Sequence, residues 1–166
     1  MNDLNALLQV VLAQARAEGI PVSPHISPAV SLNRRATGRF GRCLRKGEQF
    51  TIELSERFLA APRMACLQTL AHEVLHTCCG CANHGKRWKE YAQRMNRAYG
   101  YHISRTDTCQ ALGVPDISRV NYVLVCRSCG ARIPRARRSK LVQHPEHYRC
   151  RCGGMLTLET TEHTSA

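Results

Sequence analysis

The segment Thr69-Leu70-Ala71-His72-Glu73-Val74-Leu75-His76 decides how the rest of the chain is interpreted. It contains the pattern H-E-x-x-H inside a predicted helix over about 62–78, whose apolar residues recur at helical spacing. Positions i and i+4 lie on one helix face, so the imidazoles of His72 and His76 can reach one metal ion. Zinc held by three protein ligands keeps a fourth position for water. We therefore expect His72 and His76 to bind a catalytic zinc ion and Glu73 to act as the general base.

The third ligand of this ion has to come from another segment. His84 lies eight residues after His76, beyond the break at Cys78-Cys79-Gly80-Cys81, where a turn can bring it back towards the metal. The alternatives are Glu90, inside the next predicted helix, and His102, beyond the end of that helix. We favour His84 as the third ligand.

A second metal site is predicted from two cysteine pairs near the end of the sequence. Cys126-Arg127-Ser128-Cys129-Gly130 and Cys150-Arg151-Cys152-Gly153-Gly154 are each flanked by a short predicted β segment, at 120–125 and 155–158. Two pairs at this separation, each followed by glycine, are typical of a structural zinc site. The second pair is C-x-C rather than C-x-x-C, so either this turn is tightened or His147 replaces Cys150 as a ligand. We favour four ligands, Cys126, Cys129, Cys150 and Cys152.

The charge of the chain indicates a polyanionic partner. There are 24 Lys and Arg residues against 12 Asp and Glu residues, a formal net charge of +12. The basic residues concentrate in the stretches 34–46 and 127–151, and no base-reading motif is present, so we expect sequence-independent contacts with a nucleic-acid backbone and take DNA as the partner. The expected nucleic-acid-binding residues are Arg34, Arg35, Arg39, Arg42, Arg132, Arg135, Arg137, Arg138 and Lys140.

The sequence resembles the SprT-like zinc metalloproteases, bacterial relatives of Spartan, the protease that clears proteins crosslinked to DNA. The similarity rests on residues 69–76 and on Asn83-His84-Gly85-Lys86-Arg87-Trp88-Lys89, which fits a His-Gly-x-x-[Phe/Trp] element. The resemblance implies that His72, His76 and His84 bind catalytic zinc and that Glu73 is the general base. It also implies protein substrates and a structural zinc ribbon.

The expected fold class is α+β. A zincin-like metalloprotease domain with a small β-sheet and the H-E-x-x-H helix is predicted over 1–118, followed by a C-terminal zinc ribbon over 119–160 and a flexible tail over 161–166. Within the first domain we expect a helix at 2–18 with Asn2 as its N-cap, and a third helix from His84 to about residue 99, capped by Asn83. Residues 101–119 suit a linker.

The predicted function is that of a zinc-dependent peptidase acting on DNA-associated or DNA-crosslinked proteins, with one catalytic and one structural zinc ion. The alternatives are a zinc-stabilised nucleic-acid-binding or regulatory protein with a non-catalytic site, and a general peptidase. The N-terminal segment lacks the features of a signal peptide and no apolar run is long enough for a bilayer, so a cytoplasmic location without membrane partners is expected. The residue that would stabilise an oxyanion is left open among Tyr91, Tyr99, Tyr101 and His102. Cys78, Cys79 and Cys81 are interpreted as small residues of a tight loop rather than a redox cluster.

Overall fold

The computed structural model describes residues 1–117 and 120–159 and divides the chain into two compact units, Met1–Asp116 and one that begins at Ile117. The predicted boundary between residues 118 and 119 lies in the gap between these ranges, and the predicted tail, 161–166, lies outside the described residues. Within the described ranges, none of the helices combines the length and the apolar character that crossing a bilayer requires.

The first unit combines helices with one small sheet, so the expectation of a mixed helix and strand architecture is confirmed. Its elements in chain order are α1 (Leu4–Ala17), β1 (Ser31–Asn33), β2 (Gly41–Lys46), β3 (Gln49–Ser55), a 3-10 helix (Glu56–Leu59), α2 (Arg63–Leu75), α3 (Lys86–Tyr99) and α4 (Cys109–Leu112). Helix α2 is the central element, because it contacts α1, α3 and the strands β2 and β3.

The sheet of the first unit has the strand order β1-β3-β2, with β1 parallel and β2 antiparallel to β3. Cys43 lies opposite Ile52 and Arg45 lies opposite Phe50. Side chains alternate between the two faces of a strand, so Gly41, Cys43 and Arg45 share one face of β2. Within the described residues β2 is an edge strand, and one side of its backbone has no strand partner.

Helix α1 begins later than expected because a different residue caps it. The carboxylate of Asp3 accepts a hydrogen bond from the backbone N–H of Ala6 at 3.0 Å, which makes Asp3 the N-cap. The predicted cap, Asn2, instead donates its side-chain amide to the carbonyl of Phe58 at 2.9 Å. A long-range contact therefore uses the side chain of Asn2, and the helix begins one residue after Asp3 instead of at residue 2.

Helix α2 ends before residue 78 because its last turn tightens. The backbone N–H groups of Thr77 and Cys78 bond carbonyls three residues back, at 3.0 and 3.2 Å, and His76 becomes the C-cap of the helix. These three-residue bonds are typical of a helix terminus.

Helix α3 begins two residues later than predicted. The side-chain oxygen of Asn83 accepts a hydrogen bond from the backbone N–H of Gly85 at 3.1 Å, and Gly85 is the N-cap. This turn leaves His84 outside the helix, so the helical backbone does not set the direction of its side chain. The predicted end is confirmed, because Gly100 follows Tyr99 in the left-handed conformation with φ +67°.

The prediction that residues 101–119 form a linker is wrong for most of the segment. Tyr101, Ile103, Leu112 and Val114 are buried in the core of the first unit. The side chain of Asn96 in α3 binds both backbone groups of Ile103, donating to its carbonyl at 3.1 Å and accepting from its N–H at 2.8 Å. An irregular segment can cover a core with spaced apolar residues as well as a helix can. Its composition resembles that of a linker, so composition alone does not reveal this packing.

The second unit is a small sheet around four cysteines. Its elements are β4 (Tyr122–Cys126), β5 (Arg132–Arg135), α5 (Lys140–Gln143), a 3-10 helix (Pro145–His147) and β6 (Leu156–Glu159), with the antiparallel strand order β5-β4-β6. The strand β5 lies outside the two β segments predicted for this region, and it contains Pro134, which an edge strand tolerates. Among the described residues of this unit the buried apolar ones are few, namely Leu124, Cys126, Val142 and Leu156.

Candidate functional site

Three imidazoles converge on one point in the first unit. His72 lies on the last turn of α2, His76 caps that helix and His84 precedes α3. The Nε2 atom of His84 lies 3.0 Å from Nε2 of His72 and 3.2 Å from Nε2 of His76. A tetrahedral zinc ion with zinc–nitrogen distances of about 2.0–2.1 Å separates its ligand nitrogens by about 3.3 Å. The three nitrogens therefore have a spacing suited to one tetrahedral ion.

The other ring nitrogens of two of these histidines are held by backbone carbonyls. Nδ1 of His72 lies 3.0 Å from the carbonyl oxygen of Ser104, and Nδ1 of His76 lies 2.7 Å from that of Cys81. A carbonyl only accepts, so each Nδ1 carries the proton and each Nε2 presents its lone pair. Sequence reasoning missed Ser104 and Cys81, because a backbone carbonyl has no signature in the residue type.

All three imidazoles are stabilised in their neutral form. Burial, followed by the nearby His76 and His84, lowers the pKa of His72 to about 4. Burial also lowers the pKa of His76 and of His84. A neutral imidazole is the form that binds a metal ion, so the surroundings of these rings favour the ligand state.

Trp88 forms one wall of the histidine group. Its ring centroid lies 4.8 Å from that of His72, 5.6 Å from that of His76 and 4.5 Å from that of His84. The indole is 2% exposed. It therefore excludes water from one side of the three rings and restricts their orientations.

The carboxyl group of Glu73 lies between α2 and β2. Glu73 is buried, and a Cβ atom added to Gly41 would lie 2.9 Å from both Cγ and Oε1 of Glu73. Burial raises the pKa of Glu73 to about 7, while a hydrogen bond with the backbone of Cys43 acts in the opposite direction. A carboxyl group with a pKa near neutrality can both take up and release a proton at physiological pH.

The histidines and Glu73 line a cleft of about 1140 Å³. Its other walls are the segment 21–25, the loop 78–84, Arg39 just before β2, and residues of β2, which include Arg42 near its start and Arg45 near its end. The catalytic candidates are therefore accessible from the edge strand of the sheet.

The alternative third ligands lie elsewhere in the first unit. Glu90 is exposed on α3 and pairs with Arg94 at 3.3 Å. His102 lines a separate cavity beside Pro62 and Leu112. Of the three candidates, His84 is the one that the structure brings to His72 and His76.

The tyrosines considered as oxyanion-stabilising groups also have other contacts. The hydroxyl of Tyr101 donates to the side-chain oxygen of Gln14 at 2.5 Å, and the hydroxyl of Tyr99 donates to the carbonyl of Gln14 at 3.2 Å. Tyr91 packs against the guanidinium of Arg94. Tyr99 and Tyr101 are therefore held against α1, and Tyr91 is held against a residue of its own helix.

The loop after H-E-x-x-H contains two buried cysteines and one exposed cysteine. Cys78 and Cys81 are buried and Cys79 is exposed. Burial raises the pKa of Cys78 to about 12, which keeps its sulfur a neutral thiol. The backbone of this loop contacts the site through the carbonyl of Cys81, in agreement with a tight structural loop.

The four cysteines of the second unit lie together and are free thiols. The sulfur atoms of Cys126 and Cys152 are 3.5 Å apart, and those of Cys129 and Cys150 are 3.7 Å apart. Four zinc–sulfur bonds of about 2.3 Å in a tetrahedron place the sulfurs about 3.8 Å apart. Backbone hydrogen bonds lower the pKa of Cys126. At Cys129 a backbone hydrogen bond acts in the same direction, but hydrogen bonds with the other three thiols outweigh it and raise the pKa, so without a metal ion the thiolate is favoured at Cys126 and not at Cys129.

The short second pair is a tightened turn. In the first turn the N–H of Gly130 bonds the carbonyl of Cys126, four residues back, and in the second the N–H of Gly153 bonds that of Cys150, three residues back. Both glycines have positive φ, of +70° and +86°, which only glycine adopts without strain. The second pair has one residue fewer between its cysteines, and the tighter turn compensates for this. Both cysteines of the second pair therefore reach the cluster.

His147, the reserve ligand, lies in a different group. It stacks on His144 with ring centroids 5.4 Å apart, and both lie near the carboxylate of Glu146. All three are exposed. The structure thus brings Cys150, and not His147, to the other three thiols.

Several of the predicted nucleic-acid-binding residues have carboxylate partners. Arg39 and Arg42 share Glu53, at 3.1 and 3.2 Å. Burial alone would raise the pKa of Glu53, but hydrogen bonds from Asn33 and the two arginines lower it. Two further pairs are Arg34 with Glu56, at 3.2 Å, and Arg132 with Glu159.

The remaining candidates have no such partner. Within the described residues no ion pair involves Arg35, Arg135, Arg137, Arg138 or Lys140, and all five are exposed. Pairing across strands could not be read from the stretch 34–46, which contains no acidic residue of its own.

Comparison with known proteins identifies the first unit. The sequence profile of the SprT-like family matches residues 10–108, a range that includes the three histidines and Glu73. The germ cell nuclear acidic protein of Drosophila melanogaster is 32% identical over 128 residues, which cover 71% of this chain. The chain spans 12% of the length of that relative.

Proposed function

The chain belongs to the SprT-like family, and on this basis we propose that it is a zinc-dependent metallopeptidase that acts on DNA-associated or DNA-crosslinked proteins. The observation that supports the proposal most is the convergence of three Nε2 atoms beside the buried carboxyl group of Glu73 in an accessible cleft. A chance H-E-x-x-H on a buried helix would have neither the third imidazole nor the cleft.

In the proposed site, His72, His76 and His84 hold the catalytic zinc ion. When bound, zinc supplies a Lewis acid that polarises the substrate carbonyl and activates water. The carbonyls of Ser104 and Cys81 fix the orientation of two of the rings, and Trp88 excludes solvent from the side of the rings that it covers.

Glu73 is the proposed general base. Its carboxylate takes a proton from the attacking water and later delivers it to the leaving amine nitrogen. The raised pKa of Glu73 suits both steps, because the group exchanges a proton near neutral pH. The close approach of Gly41 leaves room for this carboxylate beside β2.

An extended polypeptide is the proposed substrate form. An edge strand offers backbone N–H and C=O groups to a peptide that adds to the sheet, and β2 is such a strand beside the histidines. A peptide bound in this way passes Glu73 with its backbone extended.

The second unit is proposed to be a zinc ribbon that assists in nucleic-acid binding. Four thiolates would close all positions of a structural zinc ion, and such a site stabilises a unit with as few buried apolar residues as this one. Arg135, Arg137 and Arg138, which form no ion pair with any residue that the structure describes, are proposed to contact phosphates without reading sequence. The domain limits 1–118 and 119–160 and the cytoplasmic location are part of this proposal.

The test measures zinc content together with cleavage of a DNA-bound protein. We expect two zinc ions per chain, of which His76→Ala loses one together with all activity and Cys126→Ser loses the other. Glu73→Gln should keep both ions and lower kcat at least about 100-fold, because the amide cannot accept a proton.

The alternative functions predict different results. Cleavage by Glu73→Gln at the rate of the unsubstituted protein would exclude the proposed mechanism. Two bound zinc ions and DNA binding without cleavage of any protein would favour a zinc-stabilised nucleic-acid-binding or regulatory protein. Cleavage that DNA does not stimulate would favour a general peptidase.

A further inference from the structure

Three arginines line the cleft, and their charges are not equally available to a substrate. Arg39 and Arg42 both pair with Glu53, whose side chain is 11% exposed. Within the described residues no carboxylate pairs with Arg45. Glu48 also lines the cleft, but the ion pairs of the described residues do not include one between Glu48 and Arg45. Of the three cleft arginines, Arg45 is therefore the one whose charge no carboxylate of the described residues compensates.

The guanidinium of Arg45 is held in place without using its outer nitrogens. Its Nε donates to the carbonyl of Gly47 at 2.8 Å, and its Cζ lies 5.5 Å from the centroid of the Phe50 ring. Phe50 lies directly opposite Arg45 in the β2–β3 pair. In the described part of the chain no hydrogen bond uses the two outer nitrogens. A guanidinium held in this way can offer both outer nitrogens to one carboxylate. Little further side-chain conformational entropy is lost when it does so.

The strand register relates Arg45 to the proposed reacting centre. Gly41, Cys43 and Arg45 share a face of β2, and Gly41 and Cys43 are the residues of β2 that approach Glu73. Two residues of a strand span about 7 Å, so Arg45 lies one side-chain repeat beyond Cys43. A peptide extended along β2 has the same two-residue repeat. Counted from the substrate side chain beside Cys43, whose backbone hydrogen-bonds Glu73, the side chain two residues along therefore faces Arg45.

We propose that Arg45 selects substrates with an acidic side chain, Asp or Glu, two residues from the scissile peptide bond. The selection rests on the proposed peptidase function and adds a specificity-determining residue to it. The attraction is between the outer nitrogens of Arg45 and the substrate carboxylate, in a cleft whose other two arginines are already paired.

The experiment compares peptides that differ at one position. Glu, Gln and Lys are placed in turn at each position within three residues of the scissile bond, and kcat/KM is measured for each peptide. The unsubstituted protein should prefer Glu over Gln by about tenfold at one position, two residues from the bond. Arg45→Ala should bring this ratio close to one, and Arg45→Glu should reverse the preference towards Lys.

Lys46→Ala is the matched control. Lys46 neighbours Arg45 and has the same charge, but it lies on the opposite face of β2 and outside the cleft lining. This variant should keep the preference for Glu. Zinc content and the melting temperature are measured for every variant, and Arg45→Gln replaces Arg45→Ala if the latter does not fold.

The outcomes separate this inference from the proposed function. An unchanged Glu to Gln ratio in the Arg45 variants, or an equal loss in Lys46→Ala, would overturn the role of Arg45 while the peptidase assignment stands. A protein that loads zinc and cleaves none of the peptides and no protein substrate would overturn the peptidase assignment and the selection together.

Discussion

Gly41 is the residue on which the position of the Glu73 carboxyl group depends. A Cβ atom at this position would lie 2.9 Å from Cγ and Oε1 of Glu73 and 2.9 Å from Cδ2 of Leu54. Gly41→Ala should therefore displace the carboxyl group and lower kcat about 10- to 100-fold, because a shift of about 1 Å has effects of this size. Zinc content should not change, since the three atoms nearest the added Cβ belong to Glu73 and Leu54 and not to a candidate ligand. Steady-state kinetics and metal analysis check both expectations.

Gly38→Ala is the control for this substitution. Nothing lies within 4 Å of a Cβ atom added to Gly38, so the variant should have the kcat of the unsubstituted protein. A Gly41→Ala protein with full activity would show that Glu73 does not need the space that this glycine leaves.

At the scale of elements, the segment between α3 and α4 determines how His72 is held. The carbonyl of Ser104 accepts from Nδ1 of His72, and the two hydrogen bonds of Asn96 fix the adjacent Ile103. Asn96→Ala should release the segment and weaken zinc binding at the histidine group about tenfold, as loss of outer hydrogen bonds to metal ligands does. Competition with a chelator measures this affinity.

Arg97→Ala provides the comparison, because Arg97 is the exposed neighbour of Asn96 on the same helix. It should leave zinc affinity unchanged, and both variants should keep the zinc of the four-cysteine cluster. Equal zinc affinity in Asn96→Ala and Arg97→Ala would mean that the segment does not orient His72.

At the scale of the whole molecule, the net charge of +12 overstates what is available to a phosphate backbone. Arg34, Arg39, Arg42 and Arg132 already have carboxylate partners. Replacement of Arg135, Arg137 and Arg138 by Ser should weaken binding to single-stranded DNA of any sequence. It should also flatten the slope of log affinity against log salt by up to about 2, since each lost phosphate contact removes about 0.7. Binding titrations at several salt concentrations measure the slope.

A second triple variant controls for net charge alone. Serine at Lys86, Lys89 and Arg97 removes the same charge from an exposed face of α3. The slope of this variant should stay near that of the unsubstituted protein. If both triple variants flatten the slope equally, the basic surface acts only through its total charge. The arginines of the second unit would then not form a specific contact surface for the DNA backbone.

The residues of both candidate metal sites could be predicted from the sequence because their signals are local. The i, i+4 spacing puts His72 and His76 on one face of any helix, and glycine after each cysteine pair indicates a tight turn. His84 was chosen over Glu90 and His102 by its position and by family resemblance, and the structure brings His84 to the other two imidazoles. Helix ends were less predictable, because a cap depends on which neighbour the side chain finds.

The amino-acid sequence by itself determined the family, the mixed architecture, the three histidines with Glu73, and the four cysteines. Only the tertiary structure decided which carbonyls hold His72 and His76, why Gly41 lies beside Glu73, and which arginines are paired. Apart from the contact of His76 with the nearby Cys81, each of these joins residues more than ten positions apart in the chain, and none of them leaves a trace in spacing or composition. Arg42 lies opposite Glu53 because β2 and β3 are adjacent strands, and Arg39 reaches the same carboxylate, whereas Arg45 has no carboxylate partner in the part of the chain that the structure describes.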